Sequence, residues 1–246
     1  MKHILSSGLI AGLAAGLLCA LLQLWLVEPQ ILLAEKYETG ELVHFGGVKG
    51  GSADQTAMPM QQAADAGTAP AVTMAPAGDE DSQPQRYGLT VLFSILTYAG
   101  YGLLVTGGMM AAGNAGYRIG SPEALLWGLA GFLAFQALPA IGLPPELPGV
   151  PAVDLGARQL WWGATAVSAV VGLSLIGYGK GLLSRLVGAA VLLIPQVVGA
   201  PEVEAFAGQV PPELAAMFAA RTLGVGLITW LTLGFCVGRL LNKPTI

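Results

Sequence analysis

The chain has 246 residues, of which 54% are hydrophobic and only 11% are charged, and its formal net charge is −4. An ordinary soluble domain carries about 25% charged residues, so this composition excludes a water-soluble globular protein and indicates that lipid is the main solvent. Uncharged apolar runs near the roughly twenty residues that a bilayer-spanning helix needs recur along the chain. The sequence therefore predicts an all-α, polytopic transmembrane helix bundle, a single membrane domain over residues 1–246.

Six apolar runs predict six spans. In chain order they cover residues 4–27, 89–112, 124–141, 160–178, 186–198 and 214–241. The first run exceeds the roughly 7 to 15 residues of a signal-peptide core and has no small-x-small cleavage pattern before Glu28, so we interpret it as an uncleaved span. The fifth run is the shortest, because Pro195 interrupts it after about 20 Å of helix. A re-entrant fifth segment, with five spans in total, is the alternative.

The distribution of charge favours six spans, with the N- and C-termini both on the inner side. In that arrangement each short inner segment carries a lysine or arginine, as the positive-inside rule requires. Every acidic residue except Glu123 then falls on the outer side. Five spans would move Arg239 and Lys243 to the outer side. Aromatic residues mark the predicted membrane boundaries, and Trp230 is the exception in mid-helix.

Small residues within the spans indicate how the helices pack. Gly8, Gly12 and Gly16 recur every four residues and form one stripe, along which another helix backbone can approach closely. The sequence leaves open whether that contact lies within one subunit or between the subunits of a homo-oligomer.

Polar residues in the outer halves of the spans predict a polar vestibule. Gln23, Gln136 and Gln196 lie there, and Arg221 follows Glu213 by about two turns in the sixth span. Hydrogen bonds between helices are the alternative explanation for the same residues. Gln196 and Arg221 are accordingly candidate structural or pathway residues.

The first outer loop, residues 28–86, combines a short membrane-proximal helix with a flexible tether rich in Gly, Ala, Pro and Gln. Its first part carries Glu28, Glu35, Glu38 and His44. Carboxylate oxygens with an imidazole nitrogen suit a borderline divalent transition cation, and an acidic outer face raises the local cation concentration. We predict a metal site at these four residues, with a solvated helix face as the alternative.

A second outer loop, residues 142–158, is expected to be rigid because its many prolines fix the backbone. Asp154 and Arg158 are four residues apart as the fourth span begins. An acid near a helix N-terminus is favoured by the helix dipole and can pair with an arginine one turn later. Both are candidate structural or pathway residues, and a capped, ion-paired helix start is the simpler interpretation.

The sequence offers no pattern for catalysis. It contains no GxxxxGK[ST] nucleotide loop, no HExxH motif and no Cys/His cluster with zinc spacing. We predict a protein that is not an enzyme, holds no permanently bound cofactor and has lipid rather than nucleic acid as a partner.

Cys19 and Cys236 are predicted near opposite membrane faces, beyond the ~7 Å limit for a disulfide, and we interpret them as small buried residues.

Four segments of the chain carry a resemblance to a known family. They read AGLAAGLLCALLQLWLVEPQILLAEKYE at 11–38, WGLAGFLAFQALPAIGLPPELPGVPAVDLGARQLWW at 127–162, IPQVVGAPE at 194–202 and VPPELAA at 210–216. These segments resemble the predicted cobalt transporter subunit CbtA family, over nearly the whole chain apart from the tether. The family pattern has several histidines in the first outer loop and one after the fifth-span proline, where this chain has His44 and Gln196.

The resemblance implies a multi-pass protein of the bacterial cytoplasmic (inner) membrane. It implies uptake of cobalt, or another divalent transition metal, linked to cobalamin supply, and a small single-span partner subunit, CbtB. Two functions follow. The chain is either a permease, with Glu28, Glu35, Glu38 and His44 as first contacts for the ion, or a non-conducting scaffold or accessory subunit that binds a partner protein.

Overall fold

All the regular secondary structure in the described part of the chain is helical. The computed structural model describes residues 2–43, 83–203 and 208–241. Six helices in these ranges are long and apolar enough to cross a membrane. Length and composition therefore confirm the prediction of an all-α bundle with six spans.

Two of the spans contain a π-helical turn. The first span joins α1 (Lys2–Leu22), the first π-turn (Gln23–Val27) and α2 (Glu28–Glu38). The third span joins α4 (Ser121–Phe132), the second π-turn (Leu133–Ala137) and α5 (Leu138–Gly142). The second, fourth, fifth and sixth spans are single helices, α3 (Gln83–Asn114), α6 (Leu155–Tyr178), α7 (Gly181–Val198) and α8 (Pro212–Leu241).

The fifth span is longer than its apolar run predicts. α7 begins at Gly181 and has 18 residues, about 27 Å of helix. Pro195 lies inside it and has no N–H for the Val191 carbonyl. The Ser168 hydroxyl of α6 donates to that carbonyl instead. Because a neighbouring helix satisfies the freed group, the proline does not end the helix, and helix length supports six spans over five.

Four helices, α1, α3, α4 and α8, form the core of the bundle, and they approach one another through glycine. Gly12 of the predicted stripe lies directly against the α3 backbone at Ala99, where a side chain would have no room. Gly128 of α4 and Gly234 of α8 meet in the same way. The glycine stripe is therefore used within one subunit.

The other two long helices, α6 and α7, pack on each other as a helical hairpin beside this core. Gly172 and Gly188 lie at their contact. The hairpin touches the rest of the bundle mainly through α5 and the second π-turn. Its other faces carry exposed apolar side chains such as Leu160 and Leu183, as suits surfaces that lie against lipid tails.

Segments that were predicted to be outer loops meet at one end of the bundle, which we call the acidic end. Arg86 at the start of α3 pairs there with Glu35 of α2, and Gly149 of the proline-rich loop packs against the stem of Glu38. The side of the membrane that this end faces, and with it the N-in, C-in orientation, stays a prediction. His44 and the predicted tether lie outside the described residues.

Candidate functional site

Two π-turns interrupt the core helices, and each stands just before a proline. The first ends two residues before Pro29 and the second two residues before Pro139. A proline has no N–H for the carbonyl four residues earlier and its ring crowds that carbonyl, so a wider turn ahead of it relieves the clash. The turns carry Gln23 and Gln136. Because π-turns recur at functional sites, these two glutamines indicate where a site can form.

An arginine brings two of the predicted metal ligands together at the acidic end. The Arg86 guanidinium holds Glu35 with two hydrogen bonds, from Nη2 to Oε1 at 2.7 Å and from Nη1 to Oε2 at 3.1 Å. The same Nη2 lies 3.6 Å from Glu28 Oε1, and the Glu28 side chain is only 12% exposed. Bidentate, charge-assisted pairing of this kind fixes both partners. We call Glu28, Glu35 and Arg86 the arginine cluster.

The other two predicted ligands do not belong to this cluster. Glu38 is exposed at the last residue of α2, with its stem against Gly149, and His44 lies outside the described residues. Within residues 2–43, 83–203 and 208–241, no three His, Cys, Asp or Glu side chains are close enough together to hold a metal ion. The four-residue metal site stays a prediction, of which the structure brings Glu28 and Glu35 together.

A cavity of about 460 Å³, which we call the chamber, lies between α1, α3, the two π-turns and α8. Thr90 in its wall is one turn from Arg86 and donates to the Arg86 carbonyl at 3.0 Å. Gln23, also in the wall, accepts the π-helical hydrogen bond of the Glu28 N–H at its carbonyl. The arginine cluster therefore adjoins the chamber on two of the helices that form it.

Among the residues that the structure describes, every side chain that lines the chamber is uncharged, and many of them are polar. The thiol of Cys19 lies among the hydroxyls of Tyr98 and Thr229 and accepts a hydrogen bond from Gln23 Nε2 at 3.5 Å. Tyr98 Oη and Gln136 Oε1 are buried and have no hydrogen bond of normal geometry. Buried polar groups in that state cost free energy until water or a ligand pairs with them. The chamber is therefore suited to a polar or cationic occupant.

Sequence reasoning found part of this lining. Gln23 and Gln136, expected in a polar vestibule, both line the chamber. Gln196 does not, because its amide donates to the Leu138 carbonyl at 3.1 Å and ties α7 to α5. Cys19 is buried in the core, as expected, and it also borders the polar chamber. The sequence spacing could have predicted that Cys19 borders the same cavity as Gln23, because Cys19 lies four residues earlier and thus on the same helix face.

An aromatic cluster, which we call the aromatic floor, closes the chamber on the side away from the arginine cluster. The rings of Phe135 and Trp230 are stacked with centroids 5.7 Å apart, and the Tyr101 ring lies 4.6 Å from Trp230. Trp230 is fully buried, and its ring covers Gly131 so closely that a side chain there would collide with it. Tyr98 and Tyr101 belong to both the floor and the chamber wall.

The structure corrects the predicted pairing of Asp154 with Arg158. Asp154 Oδ2 accepts a hydrogen bond from the Ala157 N–H at 2.9 Å and caps α6. This cap turns the carboxylate towards the backbone at the helix start. Arg158 Nη2 instead pairs with Glu146 Oε2 of the proline-rich loop at 3.0 Å. The helix start is capped as expected, and its arginine anchors the loop.

Arg221 is exposed and lies on α8 near the first π-turn. Its Nη1 donates to the Leu26 carbonyl in that turn at 3.0 Å. Arg221 is not in the chamber wall, whereas its neighbour Thr222 is. The arginine therefore ties the sixth span to the first.

A family model matches the chain over nearly its whole length. The family model described as "Probable cobalt transporter subunit (CbtA)" matches residues 1–242, essentially the whole chain. The chain belongs to the CbtA family. No curated protein and no solved structure shows significant similarity to it. The six helices long enough to span a membrane and the membership of CbtA make the chain a multi-pass membrane protein, and the description of this family as a probable cobalt transporter subunit implies that it works in a complex.

Proposed function

We propose that this CbtA family member carries a divalent transition-metal cation, cobalt, inward across the bacterial cytoplasmic membrane as part of cobalamin supply. The observation that carries the proposal is the arginine cluster beside an uncharged, polar chamber in a bundle of this family. The acidic end then faces outwards and both termini face the cytoplasm. A small single-span subunit such as CbtB is the proposed partner.

Capture of the cation begins at the acidic end, with Glu28, Glu35, Glu38 and His44 as first contacts. Arg86 occupies two of these carboxylates, so an incoming ion has to displace the guanidinium to reach both. A divalent ion carries twice the charge of arginine and, as a transition metal, also accepts imidazole nitrogen. Arg86 therefore acts as an internal counter-cation that pairs the carboxylates until a stronger competitor arrives.

Movement through the bundle follows from the chamber and the aromatic floor. Hydroxyl and amide oxygens in the chamber wall, such as those of Thr90 and Gln136, replace part of the hydration shell of the ion. The floor blocks the way until Trp230 moves off Gly131. An inside-negative potential favours the inward step, because a dication gains roughly 4.6 kcal/mol per 100 mV.

Uptake of Co²⁺ into liposomes containing the purified chain tests this proposal. We expect accumulation that rises with an inside-negative potential and falls strongly when Glu28→Gln and Glu35→Gln are combined. Glu146→Gln is the matched control, because it removes an arginine-paired acid of the proline-rich loop, outside the chamber wall. Uptake no faster than in empty liposomes, with and without the partner subunit, would overturn the proposal.

A non-conducting scaffold or accessory subunit is the competing function. The description of the family as a subunit is compatible with this function. In that case the chain passes no Co²⁺ by itself. It would stimulate uptake by a partner equally well with or without Glu28 and Glu35.

A further inference from the structure

We infer that the chamber is an intramembrane coordination site for the transported cation, with the Cys19 sulfur as its anionic ligand and the Tyr98 hydroxyl as a neutral one. The inference rests on the proposed function for the identity of the ion, and it adds a location, a ligand set and a basis for selectivity. It concerns residues that lie apart from the carboxylates of the acidic end.

The first support is the surroundings of the thiol. Cys19 is 3% exposed, and although it packs among apolar core residues it also lies in the chamber wall. The hydroxyls of Ser94 and Tyr98 lie beside it, and the Gln23 amide donates to its sulfur. A sulfur that already accepts a hydrogen bond is oriented with its lone pairs towards polar neighbours, as a metal ligand must be.

The second support is a buried hydroxyl in the chamber wall that no hydrogen bond of normal geometry satisfies. Tyr98 is only 4% exposed, lines the chamber and has no hydrogen bond of normal geometry at its Oη. Gln136 Oε1, in the wall of the same chamber, is in the same state. Unpaired oxygens within one cavity cost free energy that a bound cation recovers, because each oxygen then has a partner.

The charge of the bound cation determines the role of the Cys19 thiol. None of the described side chains that line the chamber carries a formal charge, and a dication among neutral groups at low dielectric is strongly disfavoured. Cys19 is the lining residue best suited to lose a proton to a metal. Binding is then Cys19–SH + Co²⁺ → Cys19–S–Co⁺ + H⁺, with the proton leaving to solvent past the Gln23 and Thr90 side of the chamber. The sulfur–cobalt bond forms as the sulfur–hydrogen bond breaks, and no electron is transferred.

The same ligand set sets the order of preference among cations. A thiolate favours borderline and soft ions such as Co²⁺, Ni²⁺ and Zn²⁺ over Mg²⁺ and Ca²⁺, which prefer oxygen alone. The acidic end, made of carboxylates, discriminates less between these classes. Selection against the abundant hard cations is therefore assigned to the chamber.

Spectroscopic titration of the full chain with Co²⁺ in lipid nanodiscs tests the site directly. A bound thiolate gives a sulfur-to-cobalt charge-transfer band in the near ultraviolet, and binding releases one proton per ion into a weakly buffered solution containing a pH indicator. We expect both signals in the wild type and no competition by a large excess of Mg²⁺. Absence of the band in wild-type protein that binds Co²⁺ would overturn the inference.

The second cysteine provides the matched control. Cys236 on α8 is partly buried and is not in the chamber wall, so Cys236→Ser should keep the band and the proton release. Cys19→Ser, nearly the same size, should lose both, and Tyr98→Phe should keep the band but weaken binding about tenfold, as loss of a supporting group does in other metal sites. A band that survives in Cys19→Ser and disappears in Cys236→Ser would contradict the assignment. Thermal unfolding and gel filtration of each variant identify any that fails to fold, and Tyr98→Phe provides a second readout.

Transport assays separate this inference from the function on which it rests. If the wild type takes up Co²⁺ and Cys19→Ser does so equally fast, the chamber site is wrong and the transport function stands. If the wild type shows the band and releases the proton but never transports, the site is right and the transport function is wrong.

Discussion

The four-helix core and the α6–α7 hairpin are built from similar apolar helices but differ in what their contacts enclose. In the core, Gly12 brings α1 onto α3, while the π-turns place Gln23 and Gln136 in a polar chamber. In the hairpin, Gly172 brings α6 onto α7 just as closely. The cavity of about 580 Å³ beside the hairpin is lined mainly by apolar side chains. Close glycine packing therefore occurs in both regions, and the polar chamber lies where π-turns interrupt the helices.

We expect the largest difference between the core and the hairpin when Trp230 is replaced. Trp230→Ala removes a fully buried ring from the aromatic floor, and we expect it to cost about 3–5 kcal/mol of stability and to let Co²⁺ leak through the bundle. Leu183→Ala, an exposed side chain on α7, should cost less than about 1 kcal/mol and cause no leak. Thermal unfolding and Co²⁺ efflux from loaded liposomes measure both effects. A tight, stable Trp230→Ala protein would show that the floor is not a barrier.

Gly12 tests the core contact itself. Gly12→Leu forces a side chain into the α3 backbone at Ala99, and overpacking of this kind costs about 1–3 kcal/mol. Gly163→Leu on α6 is the control, because a side chain there meets open space. The difference should appear as a lower unfolding temperature for the core variant alone. An equal decrease in unfolding temperature in both variants would mean that the contact at Gly12 is packed no more tightly than the surface at Gly163.

Arg86 forms ion pairs beside the chamber, and Arg158 forms one at the start of the hairpin. Replacing each arginine tests whether only the first affects Co²⁺ binding. Arg86→Gln releases Glu28 and Glu35 from their internal cation, so we expect Co²⁺ to bind about tenfold more tightly, equal to about 1.4 kcal/mol. Arg158→Gln frees Glu146 alone and should leave the affinity unchanged. Isothermal titration of the purified variants gives both values. A weaker Co²⁺ affinity in Arg86→Gln would indicate that the arginine organises the carboxylates instead of competing for them.

Local patterns in the sequence predicted most of the helices. The apolar runs located all six spans, and the fourth and sixth end at Tyr178 and Leu241 as predicted. Span length and glycine spacing are properties of neighbouring residues, so a single sequence carries them. The start of α7 at Gly181 was missed because Arg185 lies inside the first turns, exposed where a charge costs little.

Contacts between distant segments escaped the same reasoning. Arg86 and Glu35 are 51 residues apart, a separation over which local sequence patterns predict no contact. Arg158 was expected to pair with Asp154 because they are one turn apart, yet Asp154 serves as a cap and Glu146 arrives from the loop. One sequence pattern accompanies both π-turns, a glutamine followed within a few residues by a proline in an apolar helix. Gln23 with Pro29 and Gln136 with Pro139 both show it.

The smallest expected effect lies inside the hairpin, at the hydrogen bond that lets α7 run through Pro195. Ser168→Ala removes the donor to the Val191 carbonyl, and a hydrogen bond between membrane helices contributes about 0.6 kcal/mol on average. Ser174→Ala is the control, since that hydroxyl donates to Val170 in its own helix at 2.6 Å. Pro195→Ala should cancel the Ser168 effect, because the alanine N–H supplies the missing donor. Additive losses in the double variant, measured by thermal unfolding, would mean that the serine stabilises α6 against α7 by some other contact.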